Sequence, residues 1–286
     1  MRGKIIKVIS NDYTVLVNDE RHICKARGVF RNKKITPLAG DNVEIDENNI
    51  ITAIYKRKNK LDRPPVSNID IAVIVVSTKD PDFSSLLLNK MINIIEYNNI
   101  EPLIVVSKSD LYIDDTIRNI ISYYKRIGYT VLYNYEIDEL KDAIRDKYVI
   151  LTGQTGSGKS SLLNKIDPNL NLKTDEISKA LGRGKHTTRA IEFYEIEDLM
   201  IADTPGFSSL DFKNMTKEDI RDNFIEFEKY RNYCKYSDCM HIKEDECYIK
   251  QMVKDNEINE QRYNDYVDFI KEKENEGISF NSKKQR

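Results

Sequence analysis

The sequence lacks the features that mark membrane and secreted proteins. No apolar run approaches the roughly 20 residues that a membrane-spanning helix needs, and the first ten residues do not contain the apolar stretch of a secretory signal. Only four of the 286 residues are cysteine, and three of them lie close together near the carboxyl end, unlike a secreted disulfide framework. We therefore expect a cytoplasmic protein without membrane contact, whose clustered cysteines bind a metal.

A strong net charge is also absent. The chain has 45 Lys and Arg against 47 Asp and Glu, a formal net charge of −2, which excludes a nucleic-acid binder that is basic throughout. The charge is uneven, however, because residues 1–60 contain 13 Lys and Arg but seven Asp and Glu, an excess of six. This excess predicts either a surface for a phosphate backbone or an ordinary solvated face.

The first sixty residues are predicted to form a small β-barrel. Turn pairs such as Asn11-Asp12 separate five short β-branched or alternating runs. The runs are Lys4–Ile9, Thr14–Val17, Arg21–Lys25, Asn42–Ile45 and Ile50–Tyr55. Five strands in this length are typical of an OB-type barrel, with an SH3-like barrel as the alternative. Residues 61–65, Leu-Asp-Arg-Pro-Pro, are predicted to be a linker.

Apolar strands then alternate with amphipathic helices. The predicted strands are Asp70–Ser77, Leu103–Ser107, Thr130–Tyr133 and Tyr148–Thr152, and the predicted helices are Ser84–Tyr97 and Ile117–Arg126. This alternation indicates a parallel sheet in an α/β domain. From Thr216 the chain becomes helical and charged. We expect a multidomain α/β protein with a barrel at 1–60, an α/β domain at 61–214 and a helical domain at 215–286.

A glycine-rich segment follows the strand that ends at Thr152. Its pattern, G-x-x-x-x-G-K-S, runs into a predicted helix at Ser161–Ile166, which is the context of a phosphate-binding P-loop. Glycines let successive backbone N–H groups point at phosphate oxygens, and the helix start adds partial positive charge. Lys159 is expected to bridge the β- and γ-phosphates and Ser160 to ligate Mg²⁺. The predicted nucleotide contacts here are Gly153, Gln154, Thr155, Gly156, Ser157, Gly158, Lys159, Ser160 and Ser161.

A second motif supports a guanine nucleotide. Asp203-Thr204-Pro205-Gly206 follows the predicted strand Leu199–Ala202 and matches the D-x-x-G of GTPases. Asp203 is expected to hold Mg²⁺ through water, and the Gly206 N–H to contact the γ-phosphate. The motif is weak alone but informative after a P-loop.

A third motif bears on the base itself. Ser107-Lys108-Ser109-Asp110 ends a predicted strand and matches the N-K-x-D of GTPases, apart from Ser107 in place of Asn. An Asp at the last position accepts hydrogen bonds from guanine N1 and N2, a pair of donors that adenine lacks. Asp110 therefore predicts guanine recognition and Lys108 packing along the base, and we treat Ser107 as a tolerated variant. The predicted nucleotide contacts of this motif are Ser107, Lys108, Ser109 and Asp110.

The order of the motifs is unusual. N-K-x-D follows D-x-x-G in ordinary GTPases, whereas here Asp110 precedes the P-loop by more than forty residues. Moving the chain ends preserves a packed sheet if the old ends were close together. The three motifs are therefore predicted to belong to one circularly permuted P-loop GTPase domain.

With these motifs the chain resembles the RsgA (YjeQ/YloQ) family of circularly permuted GTPases over nearly its full length. The resemblance rests on Gly28–Arg31, Pro37–Val43, the S-K-S-D motif, the P-loop, Gly182–Thr188 (G-R-G-K-H-T-T), Asp203–Gly206 and a Cys/His cluster. It implies an OB barrel, a permuted GTPase domain and a zinc-bearing carboxyl-terminal domain. It also implies hydrolysis of GTP to GDP, stimulated by the small ribosomal subunit during late maturation, with rRNA contacts through the barrel and the zinc domain. We expect a monomer.

Residues 182–188 are predicted to form the switch between the P-loop and D-x-x-G. One Thr would offer its hydroxyl to Mg²⁺, and Thr187 and Thr188 are both candidates. Phe207 stands where Ras-like GTPases use a water-orienting Gln, so His186 is a candidate for that task, with RNA or solvent contact as the alternative. The last base-contacting loop would fall near residues 134–136, which match no known pattern.

The Cys/His cluster predicts a metal site. Cys234-x4-Cys239-x-His241-x5-Cys247 supplies three thiolates and an imidazole within fourteen residues, a closed tetrahedral zinc set. The chain has only three His, so coincidence of one with the cysteines is improbable. Four good ligands leave no open position, which favours one structural zinc over a catalytic one. Buried free cysteines are the alternative.

Two functions of other classes compete with a GTPase. One is an ATP-using kinase or ATPase with a chance S-K-S-D, which nucleotide competition would distinguish. The other is an RNA-binding scaffold with a vestigial nucleotide site, against which the intact Lys159, Ser160, Asp203 and Gly206 argue.

Overall fold

The computed structural model describes residues 1–32, 35–170, 191–203 and 210–284. Its first unit is a closed five-stranded barrel. The elements are β1 (Arg2–Ile9), β2 (Asp12–Val17), β3 (Glu20–Ala26), α1 (Gly28–Asn32), β4 (Asn42–Ile45) and β5 (Ile50–Ile54). They pair in the order β1-β2-β3-β5-β4, and β4 returns to β1. All five predicted strands are present. The order, with α1 between β3 and β4 and with β3 parallel to β5, is that of an OB-type rather than an SH3-like barrel.

Alternation along the strands builds the barrel core. On β2, Tyr13, Val15 and Val17 point inward, and they meet Ile5 and Val43 from the neighbouring strands. Cys24 is fully buried in the same core. Cys24 is therefore a core residue and does not belong to the Cys/His cluster formed by the other three cysteines.

The prediction of a linker at residues 61–65 is wrong. This segment is a two-stranded hairpin, β6 (Lys60–Asp62) and β7 (Pro65–Ser67), in which Leu61 pairs with Val66. Both side chains are buried. The Arg63-Pro64 turn interrupts the pattern locally, but one apolar residue on each side is enough to fix the hairpin against the core.

The central unit is a six-stranded sheet between helices. Its strands are β8 (Ile71–Ser77), β9 (Glu101–Ser107), β10 (Thr130–Tyr133), β11 (Tyr148–Thr152), β12 (Ile191–Ile196) and β13 (Leu199–Asp203). Its helices are α2 (Ser85–Tyr97), α3 (Asp115–Ile127), α4 (Ile137–Ile144) and α5 (Lys159–Ile166). The order is β10-β9-β8-β11-β13-β12, parallel except for β12. The predicted parallel sheet is confirmed, whereas α4 and β12 had not been predicted.

Strand β8 shows why these strands are uniformly apolar. Ala72, Ile74 and Val76 pack on the face covered by α2 and α3. Ile71, Val73 and Val75 pack on the opposite face, covered by α4 and α5. Both faces of a doubly covered sheet exclude water, so neither can carry polar residues.

The barrel and the central unit share one continuous sheet. Strand β12 pairs with β13 on one side and with barrel strand β1 on the other, where Val8 lies opposite Ile191. An ion pair of 2.6 Å between Lys7 and Glu192 closes the same junction. Backbone pairing therefore fixes the barrel against the edge of the central unit.

The carboxyl-terminal unit is helical. It contains α6 (Lys217–Asp222), α7 (Ile225–Glu228), α8 (Tyr248–Lys254) and α9 (Glu260–Lys284) around an aromatic core. Thr216 and Asp219 form a reciprocal capping box at the start of α6. None of the described helices is long and apolar enough to cross a membrane.

A buried polar network docks this unit onto α2. The Arg262 guanidinium pairs with Glu226, the Nε–Oε1 distance being 2.6 Å, and also donates to Asn89 on α2. Asn89 in turn donates to Asp265 on α9 at 2.7 Å. Because a buried guanidinium is costly without such partners, the network specifies how α9 sits on α2.

Candidate functional site

The P-loop has the backbone that its glycines predict. Gly153, Gly156 and Gly158 have φ angles of 138°, 82° and 94°, which L side chains rarely adopt. A Cβ at Gly153 would lie 2.2 Å from the Val75 carbonyl oxygen. The loop therefore lies against β8 so closely that only glycine fits, and α5 begins directly behind Gly158.

Lys159 lies across this loop. Its ammonium donates to the carbonyl oxygens of Gly153 at 3.1 Å and Gln154 at 2.8 Å. Ser160 follows in the first turn of α5 and is half-buried. The arrangement places one cation and one hydroxyl where a P-loop holds phosphate oxygens and a divalent metal.

The turn Ser107–Asp110, called the base-recognition turn after its predicted role, is joined to the P-loop by Ser107. The Ser107 hydroxyl is buried and lies 2.5 Å from the carbonyl oxygen of Ser157 and 3.2 Å from that of Val76. Reasoning from sequence placed Ser107 among the nucleotide contacts and did not foresee its bond to the P-loop. No local pattern could have revealed it, because the two serines lie 50 residues apart.

The rest of the turn faces outward. Lys108 has a left-handed backbone with a φ of 56°, and its ammonium donates to the carbonyl oxygen of Asp80. Ser109 is half-buried and Asp110 is exposed. The turn thus exposes the Asp110 carboxylate to solvent, close in sequence to Lys108, whose ammonium is fixed by the Asp80 carbonyl.

Sheet register brings the motifs together. Ser77 lies opposite Ser107, Ile74 opposite Thr152, and Leu151 opposite Asp203, all on parallel strands. The carboxyl ends of β8, β9, β11 and β13 therefore share one edge of the sheet, where open α/β sheets bind ligands.

The structure describes the remaining predicted site residues only in part. The backbone of Asp203 is described as the last residue of β13. Gly206 and the switch residues His186, Thr187 and Thr188 lie outside the described residues. The turn at residues 134–136 does lie at the same edge, since the Asn134 N–H donates to the Val106 carbonyl and Lys165 donates to the Asn134 carbonyl at 3.0 Å.

The Cys/His cluster forms a second, separate site. The four side chains offer ligand atoms that all lie within 4.8 Å of one another. Cys234 Sγ lies 3.6 Å from His241 Nδ1 and 3.9 Å from Cys247 Sγ, and Cys247 Sγ lies 3.4 Å from His241 Nδ1. Tetrahedral zinc separates such atoms by roughly 3.5–3.8 Å. The cluster can therefore hold a metal.

The surroundings favour a neutral imidazole ligand. Burial, with help from the Arg221 cation, lowers the pKa of His241 to about 4. The Glu244 carboxylate accepts the N–H groups of Met240 and Ile242 at 2.9 Å each, which fixes the loop around His241. Burial raises the pKa of the Cys247 thiol, so a thiolate there depends on a nearby cation such as a metal.

The charge excess of the barrel is largely paired. At least seven of the 13 cations in residues 1–60 form ion pairs: Lys7, Arg21, Lys25, Arg27, Arg57, Lys58 and Lys60. Three of their partners belong to the central unit: Glu192, Glu195 and Asp70. Part of the excess thus stabilises the junction between units, which sequence composition could not show.

Fold and site together define a circularly permuted P-loop GTPase, with a barrel before it and a helical Cys/His unit after it. The RsgA N-terminal domain model matches residues 2–54, and the RsgA GTPase model matches residues 54–213. The chain belongs to the RsgA family of GTPases.

Named relatives agree over nearly the whole chain. The small ribosomal subunit biogenesis GTPase RsgA 2 of Oceanobacillus iheyensis is 46% identical over 282 residues, 94% of this chain and 96% of its own. The RsgA of Bacillus subtilis is 43% identical at the same coverage. The crystal structure of YloQ, a circularly permuted GTPase, aligns with a TM-score of 0.80 and 37% identity over 96% of this chain and 95% of its own. YjeQ from Thermotoga maritima aligns with a TM-score of 0.80 and 32% identity, over 95% and 98%.

Proposed function

We propose that the protein hydrolyses GTP to GDP and phosphate as a step in late maturation of the small ribosomal subunit. The observation that carries this proposal is the convergence of the P-loop, the base-recognition turn and the end of β13 at one sheet edge. Relatives that match 94% of this chain carry the name small ribosomal subunit biogenesis GTPase.

Each element of the site has a proposed task. The P-loop residues 153–161 hold the phosphates through backbone N–H groups, and Lys159 neutralises the β- and γ-phosphate oxygens. Ser160 and Asp203 hold Mg²⁺, which when bound offsets negative charge on the same oxygens. Lys108 lies along the base, and Asp110 accepts from guanine N1 and N2.

The Cys/His cluster is proposed to hold one structural zinc. Three sulfur atoms and one neutral nitrogen suit this ion, and they fill all four tetrahedral positions. Zinc bound there would join the loop that contains Cys234 and Cys239 to the start of α8. It would thereby stabilise the carboxyl-terminal unit and take no part in hydrolysis.

The small ribosomal subunit is proposed to bind the protein through rRNA and to stimulate GTP hydrolysis. Cations of the barrel, such as the exposed Lys56, and of the zinc unit contact phosphates of the rRNA. With the small subunit bound, His186 orients the attacking water and Thr187 or Thr188 reaches Mg²⁺, with Gly206 at the γ-phosphate. We further propose that the protein acts as a cytoplasmic monomer, with domain boundaries at 60/61 and 214/215.

The test is turnover of GTP by the full chain, alone and with purified small subunits, in parallel with ATP. We expect slow hydrolysis of GTP alone, a large acceleration by small subunits, and no competition by ATP. Equal turnover of ATP would favour the alternative of an ATPase. GTP hydrolysis that small and large subunits accelerate equally would contradict the proposed partner. Point variants, such as Lys56→Glu for the barrel, suit this test better than deletion, because β1 is paired with β12.

A further inference from the structure

Two non-glycine residues with left-handed backbones meet at the nucleotide site. Lys108 has a φ of 56° and Asp80 a φ of 49°. The Lys108 ammonium donates to the Asp80 carbonyl oxygen. Such conformations are uncommon for these residue types and persist only where the surroundings hold them.

Thr78, directly after β8, supplies the main contact. Its hydroxyl donates to the Lys108 carbonyl oxygen at 2.7 Å, and its N–H donates to the Ser107 carbonyl at 3.2 Å. The side chain is only 2% exposed, so water cannot readily replace the hydroxyl. The Lys108 carbonyl also accepts the Leu111 N–H at 3.0 Å, which closes the turn. Thr78 therefore fixes one peptide plane of the base-recognition turn from behind.

The loop that follows Thr78 is itself anchored. The Ser77 hydroxyl donates to the Pro81 carbonyl at 2.6 Å. The Pro81 ring lies on the P-loop, 3.6 Å from where a Cβ on Gly156 would be. The loop between β8 and α2 thus contacts the base-recognition turn through Thr78 and Asp80, and the phosphate-binding loop through Pro81. It is positioned to keep the two in fixed relation.

We propose that Thr78 is a positioning residue for guanine recognition, which acts through the backbone of Lys108. The proposal rests on the base-recognition roles proposed above for Lys108 and Asp110. The orientation of the Lys108 peptide sets the direction in which the next two residues leave it, and hence where the Asp110 carboxylate stands. Loss of the hydroxyl frees this peptide without changing the shape of the side chain. Asp110 then meets guanine N1 and N2 less often in the correct geometry.

A merely structural role for Thr78 predicts something different. In that case loss of the hydroxyl would lower the thermal stability of the protein and would weaken the binding of all nucleotides equally. A positioning role instead reduces the preference for guanine over hypoxanthine, which lacks the exocyclic N2 amine. The readout that separates the two is the ratio of the dissociation constants of IDP and GDP, measured beside the melting temperature.

The experiment compares Thr78→Val, Thr78→Ser and Thr152→Val in the full chain. Valine has the shape of threonine without its hydroxyl, and serine restores the donor. Thr152 ends the neighbouring strand β11, is fully buried, and its hydroxyl has no hydrogen-bond partner among the described residues, so it is a matched control. Calorimetric titration gives the affinities of GDP, IDP and ADP for each variant.

For Thr78→Val we expect GDP affinity to fall roughly fivefold, the factor that corresponds to a lost hydrogen bond of about 1 kcal/mol. IDP affinity should fall less, so that the IDP/GDP ratio decreases. Thr78→Ser should restore the wild-type GDP affinity and the wild-type IDP/GDP ratio. Thr152→Val should have the same GDP affinity and ratio as the wild type. A Thr78→Val variant with an unchanged ratio would overturn the positioning role. A wild type that binds GDP and ADP equally would instead overturn the base-recognition assignment itself.

Discussion

The Ser107 hydroxyl donates a hydrogen bond of 2.5 Å to the carbonyl oxygen of Ser157, in the middle of the phosphate-binding loop. The base-recognition turn and the P-loop are therefore one connected structure. The hydroxyl also lies 3.2 Å from the Val76 carbonyl of β8, so a single small side chain contacts both neighbouring elements. Ser107 is a linker between two halves of the site, which explains how serine serves in a position where other GTPases use asparagine.

Removal of this hydroxyl should loosen the phosphate loop rather than change the base preference. We expect Ser107→Ala to lower the free energy of unfolding by about 1 kcal/mol and to weaken GDP several-fold. The IDP/GDP ratio should stay at the wild-type value, in contrast to Thr78→Val. Denaturant unfolding and titration with both nucleotides measure this. A variant with wild-type GDP affinity would show that the Ser107–Ser157 bond does not support the loop.

The choice of base should depend on the Asp110 carboxylate. Asp110→Asn replaces a paired acceptor by an amide with one acceptor and one donor group. Affinity should shift from GTP toward XTP, whose N1/C2 edge carries the reversed pattern. Competition against a fluorescent nucleotide measures the shift, and Asp138→Asn, on the exposed side of α4, is the control. Unchanged binding of both GTP and XTP by Asp110→Asn would remove Asp110 from base recognition.

Zinc should be present at one ion per chain. Cys239→Ser should lose the metal and destabilise the carboxyl-terminal unit by several kcal/mol, because metal binding and local folding are coupled. Cys24→Ser is the matched control: it alters a buried cysteine in the barrel core and should keep the metal. Elemental analysis of protein purified without chelators decides the matter. A metal-free wild type, or a Cys239→Ser variant with full zinc and full stability, would contradict the proposal.

Local sequence patterns predicted much of this fold. The barrel strands and the parallel sheet follow from short-range periodicity, and the P-loop follows from glycines at fixed spacing. The hairpin at β6 and β7 was missed because the Arg63-Pro64-Pro65 stretch resembles a breaker, while only Leu61 and Val66 mark the strands. Helix α4 and strand β12 do have amphipathic patterns, but these cover only eight and six residues, too short a stretch to be decisive.

Contacts between distant residues could not be predicted in the same way. Thr78 and Lys108 are 30 residues apart, and Arg262 and Asn89 are 173 apart. Each pair joins elements whose relative placement depends on the whole sheet. Sequence motifs therefore identified groups that could contact a nucleotide, whereas the residues that hold those groups in place became evident only from the fold.

Stability should depend on pH through Glu96. Burial raises its pKa from 4.5 to about 7, although the Tyr129 hydroxyl donates to Oε1 at 2.9 Å. Since the folded protein holds this proton more tightly than the unfolded chain, the carboxyl's favourable contribution is complete below about pH 4.5 and is lost as pH rises to 7. Above pH 7 the ionised group costs on the order of 3 kcal/mol.

The variant Glu96→Gln tests whether the Glu96 carboxyl lowers stability as pH rises. Glutamine keeps the acceptor for Tyr129 and cannot ionise, so the variant should unfold at higher denaturant concentration than wild type at pH 8.5. The difference should disappear or reverse at pH 5. Glu101→Gln, at an exposed position at the start of β9, should track the wild type at both values. A Glu96→Gln variant whose advantage does not change with pH would show that the carboxyl does not titrate in this range.

The isolated enzyme should hydrolyse GTP slowly. Phe207 follows Asp203-Thr204-Pro205-Gly206 directly, and its side chain can neither donate to nor accept from water. Ras-like GTPases orient the attacking water with a Gln in this region, and Ser208 is too short to replace it. The P-loop, the Mg²⁺ ion and Lys159 would then neutralise the phosphates, while the attacking water would stay poorly oriented. Supply of one missing catalytic group is worth roughly 10³–10⁵ in rate, so stimulation by the subunit should be large.

His186 is the side chain proposed to supply that group, and single-turnover hydrolysis with and without small subunits tests it. If His186 orients the water only when the small subunit is bound, His186→Ala should bind subunits and GTP normally, keep the slow basal rate and lose most of the acceleration. His22→Ala, in barrel strand β3, controls for loss of a histidine. Normal stimulation of His186→Ala would remove His186 from the mechanism but leave the Phe207 argument intact. Fast hydrolysis by wild type alone would refute that argument too, because the water would then be oriented without a partner.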